Sequence, residues 1–364
     1  QVLTDFIEKE LPMKHKWTAL WLTLALFCTL LAGCEALQPP SQSQGTAPSP
    51  GETLTVHFID VGQADAALLL CGGETMLIDG GNTEDSSLLV SYLEDLGVEH
   101  LDYVVCSHAH EDHVGGLSGP LNTCTAGAVW SPVSEYSSKA FGKFVQYAEA
   151  QGLSPVCPEV DSTYNLGDAL ITVLGPREDY SDTNNTSIVL RVDFGETSFL
   201  FTGDMEQSAE ADLVDAGCNL KATVLKVGHH GSDTSSSYRF LREVLPEYAV
   251  ISVGTGNSYG HPNDEILSRL YDEGAAVYRT DLLGSIVAVS DGTTVNFTTG
   301  TGGGPDLGQG SGTSSAAHYI GNRNSQVFHL ETCSSLPSEQ NRVEFSSRSD
   351  AVAQGYKPCG TCKP

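Results

Sequence analysis

The chain switches repeatedly between two hydrophobic periods. Residues 54–61, 66–71 and 75–79 are short apolar runs rich in β-formers, and Gly80-Gly81 stops the third. Residues 86–96 then space Leu, Val and Tyr as an amphipathic helix does. Residues 101–106 read as a strand buried on both faces. Further strands are predicted at 169–174, 187–194, 198–202, 222–227, 248–253 and 285–289, and further helices at 139–151, 207–216, 238–245 and 265–273. No internal repeat is visible. Strands joined partly by hairpins and partly by helical crossovers predict an α/β fold with two sheets sandwiched between helices.

The pattern changes at both ends. Met13 is followed by Lys14, His15 and Lys16, then by an apolar run over 17–32 that ends in Leu31-Ala32-Gly33-Cys34. A basic start, a short apolar stretch and small residues before a Cys read as a signal peptide at 13–34. The run is shorter than the roughly 20 apolar residues of a bilayer span. Residues 1–12 precede a plausible initiator and are set aside. Leu31-Ala32-Gly33-Cys34 resembles a bacterial lipobox, which implies cleavage before Cys34 and a lipid on its sulfur. Residues 35–51 and 300–316 are rich in Pro, Ser, Gln and Gly, and read as tethers. They delimit a body at 52–299 and a tail at 317–364.

Charge sharpens this division. The formal charge is −28, from 18 Lys+Arg and 46 Asp+Glu. Residues 51–299 carry 10 Lys+Arg against 37 Asp+Glu, whereas residues 317–364 carry 5 against 4. The acidic surface either keeps an exported protein soluble or repels polyanions outright; a polyanionic substrate then needs local positive charge, such as metal ions, to hold it. Of the 10 Cys, five lie in the body: Cys71, Cys106, Cys124, Cys157 and Cys218. They cannot all pair internally, which excludes a disulfide framework. Cys71 and Cys106 are expected as buried thiols, and Cys124 with Cys157 as the one candidate for oxidation.

The chemistry concentrates directly after the strand at 101–106, in Ser107-His108-Ala109-His110-Glu111-Asp112-His113. Two His at i and i+2 point the same way if strand geometry persists, and grip one ion. Asp112 and His113 follow on a turn and reach a second. Imidazole and carboxylate together suit Zn, Mn or Fe. Here the chain resembles the metallo-β-lactamase superfamily, whose signature is H-x-H-x-D-H. The resemblance implies an αββα sandwich with metal ions at the strand ends. Leu77-Ile78-Asp79-Gly80-Gly81 resembles the family's early Asp, which supports the metal loop from behind. Phe201-Thr202-Gly203-Asp204 resembles the segment whose Asp bridges both ions. Val227-Gly228-His229-His230-Gly231-Ser232 resembles the segment that supplies the last His.

One absence narrows the resemblance. No His lies between His113 and His229, where typical family members place a third ligand for the first ion. Asn184-Asn185-Thr186-Ser187 stands there instead, so that ion has fewer protein ligands, an Asn oxygen or a water. With Phe58-Ile59-Asp60-Val61-Gly62-Gln63-Ala64-Asp65 and Tyr259-Gly260-His261-Pro262, the body is similar to the hydrolase domain of ComEC-type competence proteins. Ala64 departs from the usual Gly. The resemblance covers nearly all of 51–299 and not the membrane channel of those proteins, so translocation is not expected of it.

The resemblance implies two divalent ions, Zn or Mn, that lower the pKa of a shared water and neutralise a phosphodiester's developing charge. His108 and His110 hold one; Asp112, His113 and His230 hold the other; Asp204 bridges. His230 is favoured over His229, which hydrogen-bonds nearby. Asp112 and His261 are the candidates closest to catalysis, His261 either touching substrate, protonating the leaving group, or sitting idle in its turn. Asp65, Asp79 and Asn185 are expected behind the ligands. The favoured activity is a cell-surface phosphodiesterase or nuclease acting on DNA or another nucleic acid, on the extracellular face of a bacterial cytoplasmic membrane, anchored by lipid at Cys34. A phosphodiesterase on phosphorylcholine-type wall decorations is one alternative. A non-catalytic lipoprotein that captures DNA or wall polymer is another. No protein partner is implied.

The tail carries His329-x₃-Cys333 and Cys359-x₂-Cys362, four tetrahedral ligands for a structural zinc. With Asn341-Arg342-Val343-Glu344-Phe345 and Gly355-Tyr356-Lys357-Pro358-Cys359, it resembles the metal-binding domain of Ada repair proteins. There the first ligand is a nucleophilic Cys; His329 stands in its place, so methyl transfer is not expected. A segment this small needs such a staple to fold. Arg323, Arg342, Arg348, Lys357 and Lys363 permit phosphate contacts, and a plain structural cap is the equal alternative.

Overall fold

A computed structural model of the chain describes residues 48–308, 319–331, 333–345, 351 and 354–359. The leader with Cys34, the first tether up to residue 47, the second tether from residue 309, Arg348, Cys362 and Lys363 lie outside the described residues. Among the described residues no helix is long and apolar enough to cross a membrane.

The body is four layers deep. One sheet holds β1 (Leu54–Phe58), β2 (Ala67–Cys71), β3 (Glu74–Ile78), β4 (His100–Val105) and β5 (Thr125–Trp130). The other holds β6 (Thr163–Leu166), β7 (Ala169–Gly175), β8 (Val189–Phe194), β9 (Thr197–Phe201), β10 (Val224–Lys226), β11 (Tyr248–Ile251) and β12 (Ala276–Arg279). β13 (Ile286–Ser290) and β14 (Val295–Thr299) return to the first sheet, giving the order β14-β13-β1-β2-β3-β4-β5. The second sheet runs β12-β11-β10-β9-β8-β7-β6.

Period-two alternation decides which side chain goes where. Leu54, Val56 and Phe58 face inward, against Val192, Phe199 and Phe201 of the other sheet. Leu200, between the two phenylalanines, turns outward to Leu213 and Leu241. Both faces of the central strands are thus buried, which is why they read as unbroken apolar runs. The helices α1 (Ser86–Asp95), α2 (Glu111–Val114), α3 (Ser118–Thr123) and α4 (Lys139–Ala150) cover the first sheet through Leu89, Leu93, Val114, Leu121, Phe141 and Phe144. α4 starts where Ser138 caps it by accepting from Phe141 N. The helices α5 (Gln207–Asp215), α6 (Tyr238–Val244) and α7 (Asp264–Asp272) cover the second sheet through Leu213, Phe240, Leu241, Ile266 and Leu270. Each such buried Leu, Ile or Phe contributes roughly 1.5–3 kcal/mol.

Every predicted strand and helix forms, with ends shifted by a few residues. The first strand stops at Phe58 because Asp60 accepts from Gly62 N and turns the chain. Four strands, β5, β6, β12 and β14, and the short helices α2, α3 and α8 (Thr280–Leu283) carry no clear periodic signal. β5 opens Thr-Ala-Gly-Ala, poor strand material; its pairing with β4 imposes the conformation, and a Cβ on Gly127 would meet Asp102 O at 2.7 Å. Cys71 and Cys106 are buried as expected. Cys124 and Cys157 are not joined: the Cys124 thiol donates to Val98 O and the Cys157 thiol to Pro158 O.

In the tail, β15 (Tyr319–Asn322), β16 (Val327–Leu330), β17 (Arg342–Phe345) and β18 (Lys357–Pro358) pair in the order β17-β15-β16-β18. Their apolar cluster is Phe328, Phe345 and Ala351, too little to hold a domain unaided.

Candidate metal centre

Parallel strands end on the same side, and loops from such ends converge. β3 and β4 are parallel neighbours in one sheet; β9, β10 and β11 are parallel neighbours in the other. The segment after β4 carries His108 and His110 and runs into α2 with Asp112 and His113. Asp79 follows β3, Asp204 follows β9, and His229 and His230 follow β10. Each sheet therefore supplies half of one site.

Asp204 is its hub. The donor atoms of Asp112, His113, Asp204 and His230 all lie within 4.8 Å of one another. His113 Nε2 is 3.2 Å from Asp204 Oδ1, and His230 Nε2 is 3.3 Å from Asp112 Oδ2. The other oxygen of Asp204, Oδ2, faces His108 Nε2 at 3.9 Å, His229 Nε2 at 3.7 Å and His230 Nε2 at 3.8 Å. His110 Nδ1 lies 3.0 Å from His108 Nε2. Both His229 and His230 thus reach the hub. His230 is buried, whereas His229 is partly exposed and sets its Nδ1 3.1 Å from Thr234 Oγ1 and 3.4 Å from Glu206 Oε1.

Backbone strain makes this possible. Asp79, His229 and His230 have φ of 59°, 50° and 52°, a left-handed conformation uncommon in side chains of this size. It lets two successive histidines look at one carboxylate. Gly231 follows with φ 82°, where a Cβ would stand 2.6 Å from Pro262 Cβ; Asn263 N donates to Gly231 O across the same contact.

Behind the ligands lies a polar scaffold. Asp79 accepts from Ser107 N and Ser107 Oγ, both at 2.7 Å, and holds His113 Nδ1 at 2.8 Å, which turns Nε2 toward Asp204. His230 Nδ1 is 3.0 Å from Ser252 O and 3.4 Å from Asp65 Oδ1, leaving its Nε2 for the site. Asp65 in turn accepts from the buried Lys226 Nζ at 2.6 Å. Ser187 Oγ accepts from Asp204 N. Asn185 is occupied behind the site: its Oδ1 accepts from Glu206 N and its Nδ2 donates to Asp182. Asn184, not Asn185, lines the cavity, and its Oδ1 is buried with no hydrogen-bond partner. Sequence reasoning passed over Lys226, Ser107 and Ser187. Lys226 alone carried a signal, as a charge inside the apolar run Val224-Leu225-Lys226-Val227.

The donor set fits cations. Four carboxylates, Asp65, Asp79, Asp112 and Asp204, face the site's histidines, and only Asp65 among them pairs with a lysine, Lys226. Asp65 Oδ1, His113 Nε2, Asp204 Oδ1 and His230 Nε2 are buried without an aligned hydrogen bond. The pKa values reflect the same excess of negative charge. Burial opposes a charge on His230, yet Asp204 and Asp65 raise it to about 10. Burial likewise opposes His113, and Asp204 and Asp79 lift it well above the usual imidazole range. Burial would raise Asp112, but the His230 imidazole 3.3 Å away and the charge of His113 hold it at about 2. Burial and the adjacent His113 push His108 well down. Imidazoles kept charged by surrounding carboxylates are doing what a divalent ion does better.

Above the hub opens a cavity of about 330 Å³, lined also by Gln63, Glu111, Tyr259 and His261. In the tail, His329, Cys333 and Cys359 are buried with donor atoms within 4.8 Å of one another, and His329 Nδ1 is 3.4 Å from Cys333 Sγ. A small, buried His/Cys set of this kind suits zinc.

Comparison with known proteins agrees with the geometry. Residues 59–255 match the family model of the metallo-beta-lactamase superfamily, and residues 312–364 match that of the metal binding domain of Ada. The "Competence protein ComA" of Neisseria gonorrhoeae is 34% identical over 260 residues, 71% of this chain and 34% of that protein. The "ComE operon protein 3" of Bacillus subtilis is 30% identical over 250 residues, 64% of this chain and 32% of that protein. The chain thus spans about a third of the length of these relatives. Among solved structures, the metallo-beta-lactamase fold protein YhfI from Bacillus subtilis aligns with a TM-score of 0.46 at 15% identity, over 66% of this chain and 100% of that one.

Proposed function

The chain belongs to the metallo-β-lactamase superfamily, and on that premise we propose that it is a metal-dependent phosphodiesterase that hydrolyses nucleic acid at the outer surface of a bacterial cell. The observation that carries this reading is the convergence of Asp112, His113 and His230 on Asp204, whose Oδ2 also faces His108 and His229, at the floor of an open cavity. Two ions are the natural occupants: one among His108, His110 and Asp204, completed by Asn184 or His229, and one among Asp112, His113, His230 and Asp204. When bound, they supply the positive charge that lowers the pKa of a water and neutralises an anionic substrate, which the acidic surface cannot do.

The chain's own residues do the rest. Asp79 and Ser107 hold the His113 ring, and Asp65 with Lys226 holds the His230 ring, so the donors are aimed before any substrate arrives. His261 lies on the cavity wall. Burial, His229 and His230 lower its pKa, so at neutral pH it is uncharged and suited to hydrogen-bond a substrate or leaving-group oxygen. Relatives named for competence favour DNA as the substrate. The leader read at 13–34 supports delivery to the extracellular face and anchoring through Cys34.

The test is direct. The purified chain, loaded with Mn²⁺ or Zn²⁺, is assayed on single- and double-stranded DNA, RNA, a model phosphodiester, a β-lactam and a thioester. Phosphodiester cleavage is expected, with Asp204→Asn losing more than the ~10–100-fold typical of a supporting residue. Cleavage of the β-lactam or thioester alone overturns the reading. A metal-loaded chain that binds DNA and cleaves nothing makes it an adaptor.

A further inference from the structure

We propose that Tyr259 is a stacking platform for a nucleobase of the substrate, so that the site takes unpaired nucleotides; this rests on the phosphodiesterase reading above. Tyr259 is 72% exposed, the most open of the large apolar side chains among the described residues. Its backbone is nevertheless fixed. Tyr259 N donates to Asn257 Oδ1 at 3.1 Å, and His261 N donates to the same oxygen at 3.0 Å. Asn257 Nδ2 donates to Gly254 O at 3.0 Å and His261 O at 2.6 Å. One side-chain amide thus spends all its hydrogen-bonding capacity on tying the loop that presents the tyrosine. Gly254 N donates to Gln63 Oε1, which anchors the loop to the first sheet's side of the cavity.

The ring's position is equally specific. It stacks on His261, with centroids 5.7 Å apart and planes at 22°. The His261 ring is 5.8 Å from that of His229, which faces Asp204. A row of rings therefore leads from the hub to the cavity mouth and ends in an open aromatic face. Among the described residues no Lys or Arg lines this cavity. A polyanion entering this cavity meets no cationic side chain among those lining residues, and its attraction there beyond the ions has to be uncharged. Stacking supplies that and accepts any base, because every base has a π-face. In a duplex those faces are already stacked, so the platform selects unpaired nucleotides.

The full chain loaded with Mn²⁺ tests this. kcat/KM is measured on a single strand with all its bases, on the same strand with abasic residues, and on the matching duplex, for the wild type and for Tyr259→Ala, Tyr259→Phe and Tyr259→Trp. The wild type should prefer the base-bearing strand over the abasic one by about tenfold, Phe and Trp should keep that ratio, and Ala should bring it close to one. Equal rates on the two strands, a duplex cleaved faster than the single strand, or an Ala variant that slows both strands by the same factor overturns the platform and leaves the phosphodiesterase reading standing. Cleavage of none of the three overturns both.

Discussion

Lys226 and Asp65 form an ion pair at 2.6 Å with both side chains nearly inaccessible to water. Removing one partner of such a pair strands a buried charge, so Lys226→Ala should lower unfolding stability by about 3–5 kcal/mol. Lys226→Met combined with Asp65→Asn should recover most of that in denaturant titrations; a single variant no less stable than wild type would contradict the pairing. The histidines set a pH dependence of opposite sign. His230 and His113 have raised folded pKa values, so in chelated protein they add stability below the unfolded imidazole value of ~6.5 and lose it as pH rises toward 10. Asp65 and Asp204, held low despite burial by Lys226 and His113 among others, add stability above ~4 and lose it on acidification. The melting temperature of chelated protein should therefore fall on the alkaline side of pH 6.5, and metal loading should release protons and flatten that fall. A chelated melting temperature that is flat between pH 6.5 and 10 would show that the rings carry no protons. At this scale the ligand types were legible from the motifs, because a charged or imidazole side chain next to a buried strand needs a partner. That Asn184 faces the cavity was not, because it depends on the direction of one turn.

At the scale of elements, periodicity revealed what packs on both sides and missed what is imposed by neighbours. The strands around Leu54, Leu101 and Leu225 announce themselves through continuous burial. β5 and β6 are shaped by the strands beside them, and α2 is four residues long, below any helical repeat. The tail sits at the far end of this range. β16 carries His329, and β18 leads directly to Cys359, whose N donates to Phe328 O. A metal ion held by His329, Cys333 and Cys359 would tie these strands together where the small apolar cluster cannot. Cys359→Ser should lower bound metal by about one ion per chain and remove hydrogen-exchange protection from β16 and β18, with hydrolysis unaffected. Full protection in the variant or in chelator would mean that the small cluster of Phe328, Phe345 and Ala351 suffices alone.

For the whole molecule, the net charge of −28 predicts that the proposed activity on nucleic acid responds to salt in the opposite sense to most nucleic-acid enzymes. Proteins that hold DNA by lysines weaken as salt rises. Here the dominant long-range force is repulsion, which salt screens as the Debye length shrinks from ~30 Å at 0.01 M to ~8 Å at 0.15 M. kcat/KM on long single strands should therefore rise over that interval and barely change on a dinucleotide. A steep fall would assign DNA capture to the slightly basic tail. The global strand order was the least legible property. β13 pairs back onto β1 from the far end of the body, with β14 outside it, a contact that no local window contains.

That closure has a consequence in time. The ligands are divided between the two sheets, with His108, His110, Asp112 and His113 on one and Asp204 and His230 on the other. A chain still emerging from the ribosome, or threaded unfolded through a pore, displays the first group alone, a weak and unselective chelator. The complete donor set exists only after the sheets close on each other. An ion held there would then be set by the metal supply at the place and moment of that closure.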